Sequence, residues 1–159
     1  MDIISFITAK PVLIGLHLGF AILGIDAFLW LLGEYIANAE STRRRVWAAV
    51  LGCIGFAVSW IVGGYYYVTY YGALVKPIIL KGTAPWAHAI AMEAKEHIFL
   101  FMVPLALTAL FIAMLDRPTL EQSGLKKPAM WLVVLLPVLG LTIGLMGYVI
   151  SAAARWGIV

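Results

Sequence analysis

The chain has 159 residues, of which 64% are hydrophobic and only 12% are charged. With a mean hydropathy of +1.00, too little polar surface remains to cover a water-soluble globule, so the composition predicts an integral membrane protein and excludes a soluble domain. The formal net charge of +3 comes from basic residues beside apolar segments, where anionic lipid of the bilayer is the nearest partner. It gives no reason to expect nucleic acid.

Four apolar stretches are long enough to cross a hydrocarbon core of about 30 Å, which needs roughly 20 residues of helix. The predicted spans cover about residues 11–36, 46–71, 86–115 and 129–154. They use nearly the whole chain, so we predict a single transmembrane domain over residues 1–159. The short loops predict an all-α fold, an antiparallel four-helix transmembrane bundle. The first apolar run lacks a basic leader and a cleavage site, so we expect it to be a span rather than a signal peptide.

Basic residues beside the spans predict the orientation. The first and third loops carry Arg43, Arg44, Arg45, Arg117, Lys126 and Lys127. The opposite side carries Lys10, Lys76, Lys81 and Arg155. Because cytoplasmic loops are enriched in Lys and Arg, the first and third loops are predicted to face the cytoplasm, with both termini on the outer side. The expected location is a prokaryotic inner (plasma) membrane.

Two histidines, His17 and His97, lie within or at the edge of apolar spans. Ionisable groups inside a membrane are costly and usually mark a site. Counting back from Glu34 to His17 and from Asp116 to His97 at 1.5 Å per residue places the two rings at depths that differ by only about 3 Å. The first and third helices run in the same direction, so the two histidines are predicted to lie in one layer near the outer face.

The same depth count places small and aromatic residues of the second and fourth helices in this layer. They are Gly63, Gly64, Tyr66, Gly144 and Gly147. A b-type haem in a helical bundle needs two imidazoles on different helices and small neighbours that admit the flat ring. We therefore predict His17 and His97 as the metal-ligating axial pair. The glycines would clear space, Tyr66 or Tyr70 would hydrogen-bond near the haem edge, and basic residues at the outer surface would meet the propionates. Cys53 is the only cysteine, so covalent C-x-x-C-H attachment is excluded.

Each of these residues also has an interpretation without a cofactor. A histidine near a membrane interface is often a hydrogen-bonded polar residue and not a ligand. The glycines are also typical of close helix packing, and the tyrosines are typical of an interfacial aromatic belt.

The start of the third helix has the densest charge in the chain. Glu93 lies four residues before His97 and on the same face, where it could orient the imidazole or exchange protons with it. His88 lies nine residues before His97, on the opposite face, and is therefore a poor second ligand. Lys95 and Glu96 are predicted to belong to a solvated turn.

Asp26 lies well inside the first span, nine residues from His17 and on the opposite side of that helix. An isolated carboxylate there takes up a proton or finds a partner, such as Thr142, Ser59 or another subunit. Three interpretations stay open: a proton relay, a subunit contact, and a protonated, hydrogen-bonded aspartic acid.

The first span carries a resemblance to known families. The segment Leu16-His17-Leu18-Gly19, continuing through Ile22-Leu23-Gly24, resembles the opening histidine helix of small four-helix membrane b-type cytochromes and of the copper-resistance inner-membrane family. The resemblance implies that His17 is a haem or metal ligand.

Three functions are compatible with these residues. The leading hypothesis is a b-type cytochrome that passes electrons from a quinol-level donor, alone or with other redox-protein subunits, and that binds haem between helices 1 and 3. The second is a cofactor-free accessory or scaffold subunit, or a homo-oligomer, whose Asp26 and glycine surfaces contact partners. The third is non-haem iron, copper or zinc binding, or proton handling, through Glu93, Glu96, His97 and His17.

Overall fold

A computed structural model describes residues 2–157, and those residues contain helices and no strand. The short N-terminal helix is α1 (Ile3–Ile7), and two further six-residue helices are α4 (Lys76–Lys81) and α6 (Arg117–Gln122). The four long α-helices are α2 (Lys10–Ile36), α3 (Thr42–Tyr66), α5 (Glu93–Ala113) and α7 (Lys126–Trp156). Two π-helical segments, π1 (Tyr67–Val75) and π2 (Ala87–Met92), lie between α3 and α5.

Four continuous helical segments are long and apolar enough to cross a membrane. They cover Lys10–Ile36, Thr42–Lys81, Ala87–Ala113 and Lys126–Trp156. The prediction of an all-helical fold with four helices long and apolar enough to span a membrane is confirmed for residues 2–157. The second segment was predicted to end near residue 71, but it continues through π1 and α4 to Lys81. Pro77, the second residue of α4, does not end it.

Helices α2 and α3 approach each other closely through glycines. A Cβ added at Gly55 would lie 2.5 Å from the backbone nitrogen of Gly24, so only glycine permits this contact. On either side, Gly24 lies against the ring of Phe56 and Gly52 against the ring of Phe28, and these two rings stack with centroids 5.5 Å apart. Small residues that bring helix backbones together are a common means of association in membranes.

The long helices are arranged as a ring in which α2 and α5 occupy a diagonal. Helix α2 packs mainly on α3 and α7, and α5 packs on the same two helices. The interior of the ring is a core of buried apolar side chains. Its most buried members include Phe28, Leu31, Phe56, Met102 and Leu136.

The two ends of the bundle carry different structures, which we name here. The "basic end" holds the loop of residues 37–41 and the α6 region of residues 114–125. The "tyrosine end" holds π1, α4 and π2, together with a second apolar cluster that contains Tyr71, Val75 and Ile79. The predicted functional residues of the first and third spans lie toward the tyrosine end.

The basic end is held together by Arg45, which is only 2% exposed. Its guanidinium donates hydrogen bonds to the carbonyl oxygens of Ala39 at 3.0 Å and Leu115 at 2.8 Å. A third bond goes to the hydroxyl of Thr42 at 3.2 Å, and the guanidinium lies 5.9 Å from the ring centroid of Tyr35. One side chain thus connects both loops at this end.

Candidate functional site: a histidine and lysine layer beside a tyrosine and histidine cluster

His17 is held against α3 by two hydrogen bonds with Ser59, one from its side chain and one to its backbone. Nδ1 of His17 lies 2.8 Å from the carbonyl oxygen of Ser59 and donates to it, since a carbonyl can only accept. The hydroxyl of Ser59, which is fully buried, donates to the carbonyl oxygen of His17 at 2.9 Å. These bonds fix the orientation of the ring and place its proton on Nδ1, while Nε2 has no hydrogen-bond partner among residues 2–157.

Gly63 makes room for this ring. A Cβ added at Gly63 would lie 2.6 Å from Nδ1 of His17, too close for any other residue. The depth count predicted His17 and Gly63 in one layer, and the two residues are in contact. The space that Gly63 provides is filled by the imidazole itself.

Lys95 is the second polar group of this layer, and the sequence analysis assigned it to a solvated turn. It is partly buried, and a Cβ added at Gly147 would lie 3.3 Å from its Nζ, so the ammonium group lies against α7. It is also close enough to His17 for its charge to act on the imidazole. The signal in the sequence was simply a lysine inside an apolar span, which is by default a candidate functional residue.

His97 is exposed and points away from this layer. Its Nδ1 donates to the carbonyl oxygen of Glu93, 2.6 Å away on the preceding turn of α5. Lys95 and His97 are two residues apart and therefore lie about 200° apart around an α-helix, so when Lys95 faces His17, His97 cannot. The structure does not bring His17 and His97 together, although their depths along the helices were matched.

The other predicted haem neighbours are also dispersed. Gly64 and Gly144 are exposed, and no atom of another part of the described chain lies within 4 Å of a Cβ added at either. Tyr66 stacks on Tyr70, with ring centroids 6.0 Å apart, and the hydroxyl of Tyr70 donates to the carbonyl oxygen of Thr8. These two glycines therefore do not clear space inside the bundle, and Tyr70 serves to attach the end of α1.

A second polar cluster lies beside the layer and includes the histidine that the sequence analysis set aside. His88 is 5% exposed, and its Nδ1 lies 3.1 Å from the hydroxyl of Tyr71, which is 1% exposed. Its Nε2 lies 3.9 Å from a carboxylate oxygen of Glu93. The Glu93 carboxylate thus approaches His88, whereas His97 is hydrogen-bonded to the Glu93 backbone.

The π-helical segments explain why helical spacing did not reveal this cluster. In a π-helix the hydrogen bonds join residues i and i+5, so that His88 and Glu93, five residues apart, come to lie on one side of the chain. In an α-helix the same two residues would be about 140° apart. Tyr67 stacks on Tyr71 in π1, with ring centroids 5.1 Å apart.

Asp26 lies on the exposed surface of α2. The hydroxyls predicted as its partners bond elsewhere: Ser59 with His17, and Thr142 with the carbonyl oxygen of Val138. Neither hydroxyl is bonded to Asp26, and the three interpretations of this carboxyl stay predictions.

Within residues 2–157, no group of three or more His, Cys, Asp or Glu side chains could hold a metal ion. The predicted non-haem cluster therefore has no structural support, since His17 is separated from His97 and the glutamates face other groups. Comparison with known proteins gives no relative: no family model, no curated protein and no solved structure matches the chain.

Proposed function

We propose that this chain is a membrane b-type cytochrome in which His17 would bind the haem iron. The supporting observation is the state of the His17 ring: its Nδ1 proton is bonded to the Ser59 carbonyl, and its Nε2 has no hydrogen-bond partner within residues 2–157. Histidines that bind a metal commonly donate their other ring N–H to a backbone carbonyl, which fixes the tautomer and makes the ligating nitrogen more basic. The donor chemistry at this position therefore fits haem.

The residues around His17 have separate roles in this proposal. Ser59 and Gly63 orient the imidazole, and Lys95 supplies a positive charge that would balance negative charge brought into the same layer. Bound haem would supply one-electron transfer, and burial and hydrogen bonding of the ligand would set its potential. His97 has no assigned role as a ligand, because it lies on the exposed side of α5.

The proposal also covers the membrane topology of the chain, its location and its redox partners. We assign an antiparallel arrangement of the four spans, with the basic end in the cytoplasm and both termini outside, because the basic residues are concentrated in the first and third loops. The chain would reside in a prokaryotic inner membrane and exchange electrons with a quinol-level donor or with other redox subunits.

The test is the absorption spectrum of the full chain purified in detergent. A reduced-minus-oxidised spectrum with a sharp α-band is expected for the wild type, and its loss is expected in His17→Ala. His97→Ala is the matched control and should keep the band. A colourless, folded wild-type protein, or a band that survives His17→Ala, would contradict the proposal.

A second candidate function is a cofactor-free accessory subunit, favoured by the exposure of Asp26. A carboxyl group on the apolar surface of a span lacks hydrogen-bond partners in lipid, and a contacting subunit would supply them. On the same helix, Gly15 and Gly19 line an open groove of about 270 Å³. The mass of the detergent-solubilised particle tests this candidate. It should fall in Asp26→Leu and be unchanged in Thr142→Val, a matched change at another exposed polar residue.

A further inference from the structure

The cluster of Tyr71, His88 and Glu93 has no role in haem ligation. Its members form a graded series from the inside outward: Tyr71 and His88 are buried, whereas the Glu93 side chain is 49% exposed. Glu93 lies six residues, or roughly 9 Å of helix, from the start of the third span at Ala87. This depth is near the boundary of the hydrocarbon core, since the interfacial layer is only several ångströms thick.

Each contact in the series joins two groups whose chemistry allows them to give up or accept a proton. The Tyr71 hydroxyl and Nδ1 of His88 are 3.1 Å apart, within hydrogen-bond distance. Nε2 of His88 and the Glu93 carboxylate are 3.9 Å apart, a gap that a small side-chain rotation or one water molecule closes. Imidazole is the side chain best suited to passing protons, because one nitrogen can accept while the other donates.

We propose that Glu93, His88 and Tyr71 form a proton path from the membrane surface to the buried tyrosines of π1. The carboxylic acid of Glu93 gives its proton to Nε2 of His88 and becomes a carboxylate, which takes up a new proton from the membrane surface. In the same concerted transfer, Nδ1 of His88 gives its proton to the Tyr71 oxygen while the Tyr71 hydroxyl gives up its own proton toward the carboxylate of Glu96. One proton enters at Glu93 and one is taken up at Glu96, so neither the imidazole nor the tyrosine keeps a charge.

The groups around Tyr71 set the direction in which its proton leaves. The tyrosine stacks on Tyr67, and the charge of Glu96 acts on both rings. Tyr66 and Glu93 are the other titratable groups whose charge influences Tyr71. One oxygen of Glu96 is buried without a hydrogen-bond partner in the described residues. The inner end of the path is therefore the side of Tyr71 that faces Tyr67 and Glu96.

The proton path does not require bound haem, because none of its three residues is a proposed haem ligand. Its test follows the ring N–H of His88. The chain has three histidines, so ¹⁵N labelling of histidine in the full chain, in lipid nanodiscs, gives few signals, and His88→Asn assigns one of them. The measurement is the rate at which the His88 ring proton exchanges with water. A buried proton without a relay exchanges only when the structure opens locally.

In Glu93→Gln, which keeps the shape but cannot pass a proton, exchange should slow about tenfold or more. Tyr71→Phe should leave the exchange rate near that of the wild type and shift the Nδ1 resonance, because it removes only the inner partner. Glu121→Gln at the basic end is the matched control and should change neither quantity.

Equal exchange rates in the wild type and Glu93→Gln, with the His17 ring signals unchanged to show that the fold is intact, would overturn the path. Slowing of the same size in Glu121→Gln would also overturn it, since the effect would then be global. A colourless protein that shows the Glu93 effect would contradict the haem proposal and support the path.

Discussion

At the basic end a buried arginine bonds to the backbone of both loops, whereas at the tyrosine end a buried tyrosine hydroxyl lies against a buried imidazole. Arg45 joins the carbonyls of Ala39 and Leu115, and Lys126 bonds to the side chain of Asn38. Bonds of this kind hold segments in place and leave little to exchange. Tyr71 and His88, by contrast, form a contact between two groups whose protons can move.

The basic end also contains most of the buried polar atoms without a partner in residues 2–157. Glu34 Oε2, the Tyr35 hydroxyl and Arg45 Nε are among them. All three residues line one small cavity of about 20 Å³, which is the size that one water molecule needs. The unpaired groups at this end therefore share one cavity, and we assign them a structural role. The comparison therefore predicts that changes at the basic end affect stability, and that changes at the tyrosine end affect proton and ligand chemistry.

The largest effect is expected for Arg45→Ala. It leaves two backbone carbonyls unpaired in a buried place and removes the link between the two loops, so the free energy of unfolding should fall by about 3 kcal/mol. Thermal unfolding in detergent measures it. Arg43→Ala, an exposed neighbour in the same turn, is the control and should change little. Equal effects of the two substitutions would mean that Arg45 does not hold the basic end together.

The next effect is expected for Gly63→Ala, at the His17 layer. The added methyl group would overlap the imidazole, so either the ring moves or the helices separate, at a cost of about 1–3 kcal/mol. The ¹⁵N signals of His17 should shift, and any haem band should weaken. Gly64→Ala is the control, because a Cβ there meets open space. An unchanged His17 signal in Gly63→Ala would show that the ring does not lie against this glycine.

A smaller loss of stability is expected for Tyr71→Phe. The substitution keeps the packing of the ring against Tyr67 and removes one hydrogen bond to His88, so unfolding should become easier by about 1 kcal/mol. Chemical or thermal unfolding in detergent measures this loss. Tyr65→Phe, at an exposed position, should have no effect. A loss of several kcal/mol would place Tyr71 among the residues that determine stability and would weaken the contrast between the two ends.

The smallest expected effect is on the pH dependence of unfolding, through two carboxyl groups at the basic end. A hydrogen bond from Thr119 lowers the pKa of Asp116, and a hydrogen bond from Arg117 lowers the pKa of Glu121. A carboxyl whose pKa is lowered by folding stabilises the folded state when the pH is above the pKa that the group has in the unfolded chain. This contribution is lost as the pH falls below about 4. Asp116→Asn should flatten this part of the pH profile of unfolding. A profile identical to the wild type would contradict it.

The four long apolar helical segments could be predicted from the sequence, and much of the site could not. Depth along a helix follows from counting residues, which is why His17 and Gly63 were placed in one layer. Direction around a helix does not follow from counting, and so His97 was expected where Lys95 lies. The pairing of His88 with Glu93 required a π-helical segment, for which the spacing of apolar residues gives no indication.

The sequence by itself determined the four spans, because a backbone in lipid must satisfy its hydrogen bonds internally, and about 20 apolar residues of helix do so. Only the tertiary structure decided which side of each helix faces its neighbours. In water the apolar side of a helix is the buried side. In a membrane both the lipid and the protein interior are apolar, so hydrophobicity does not distinguish them. The orientation of His17, Lys95 and His88 therefore depends on glycine contacts and side-chain hydrogen bonds between helices.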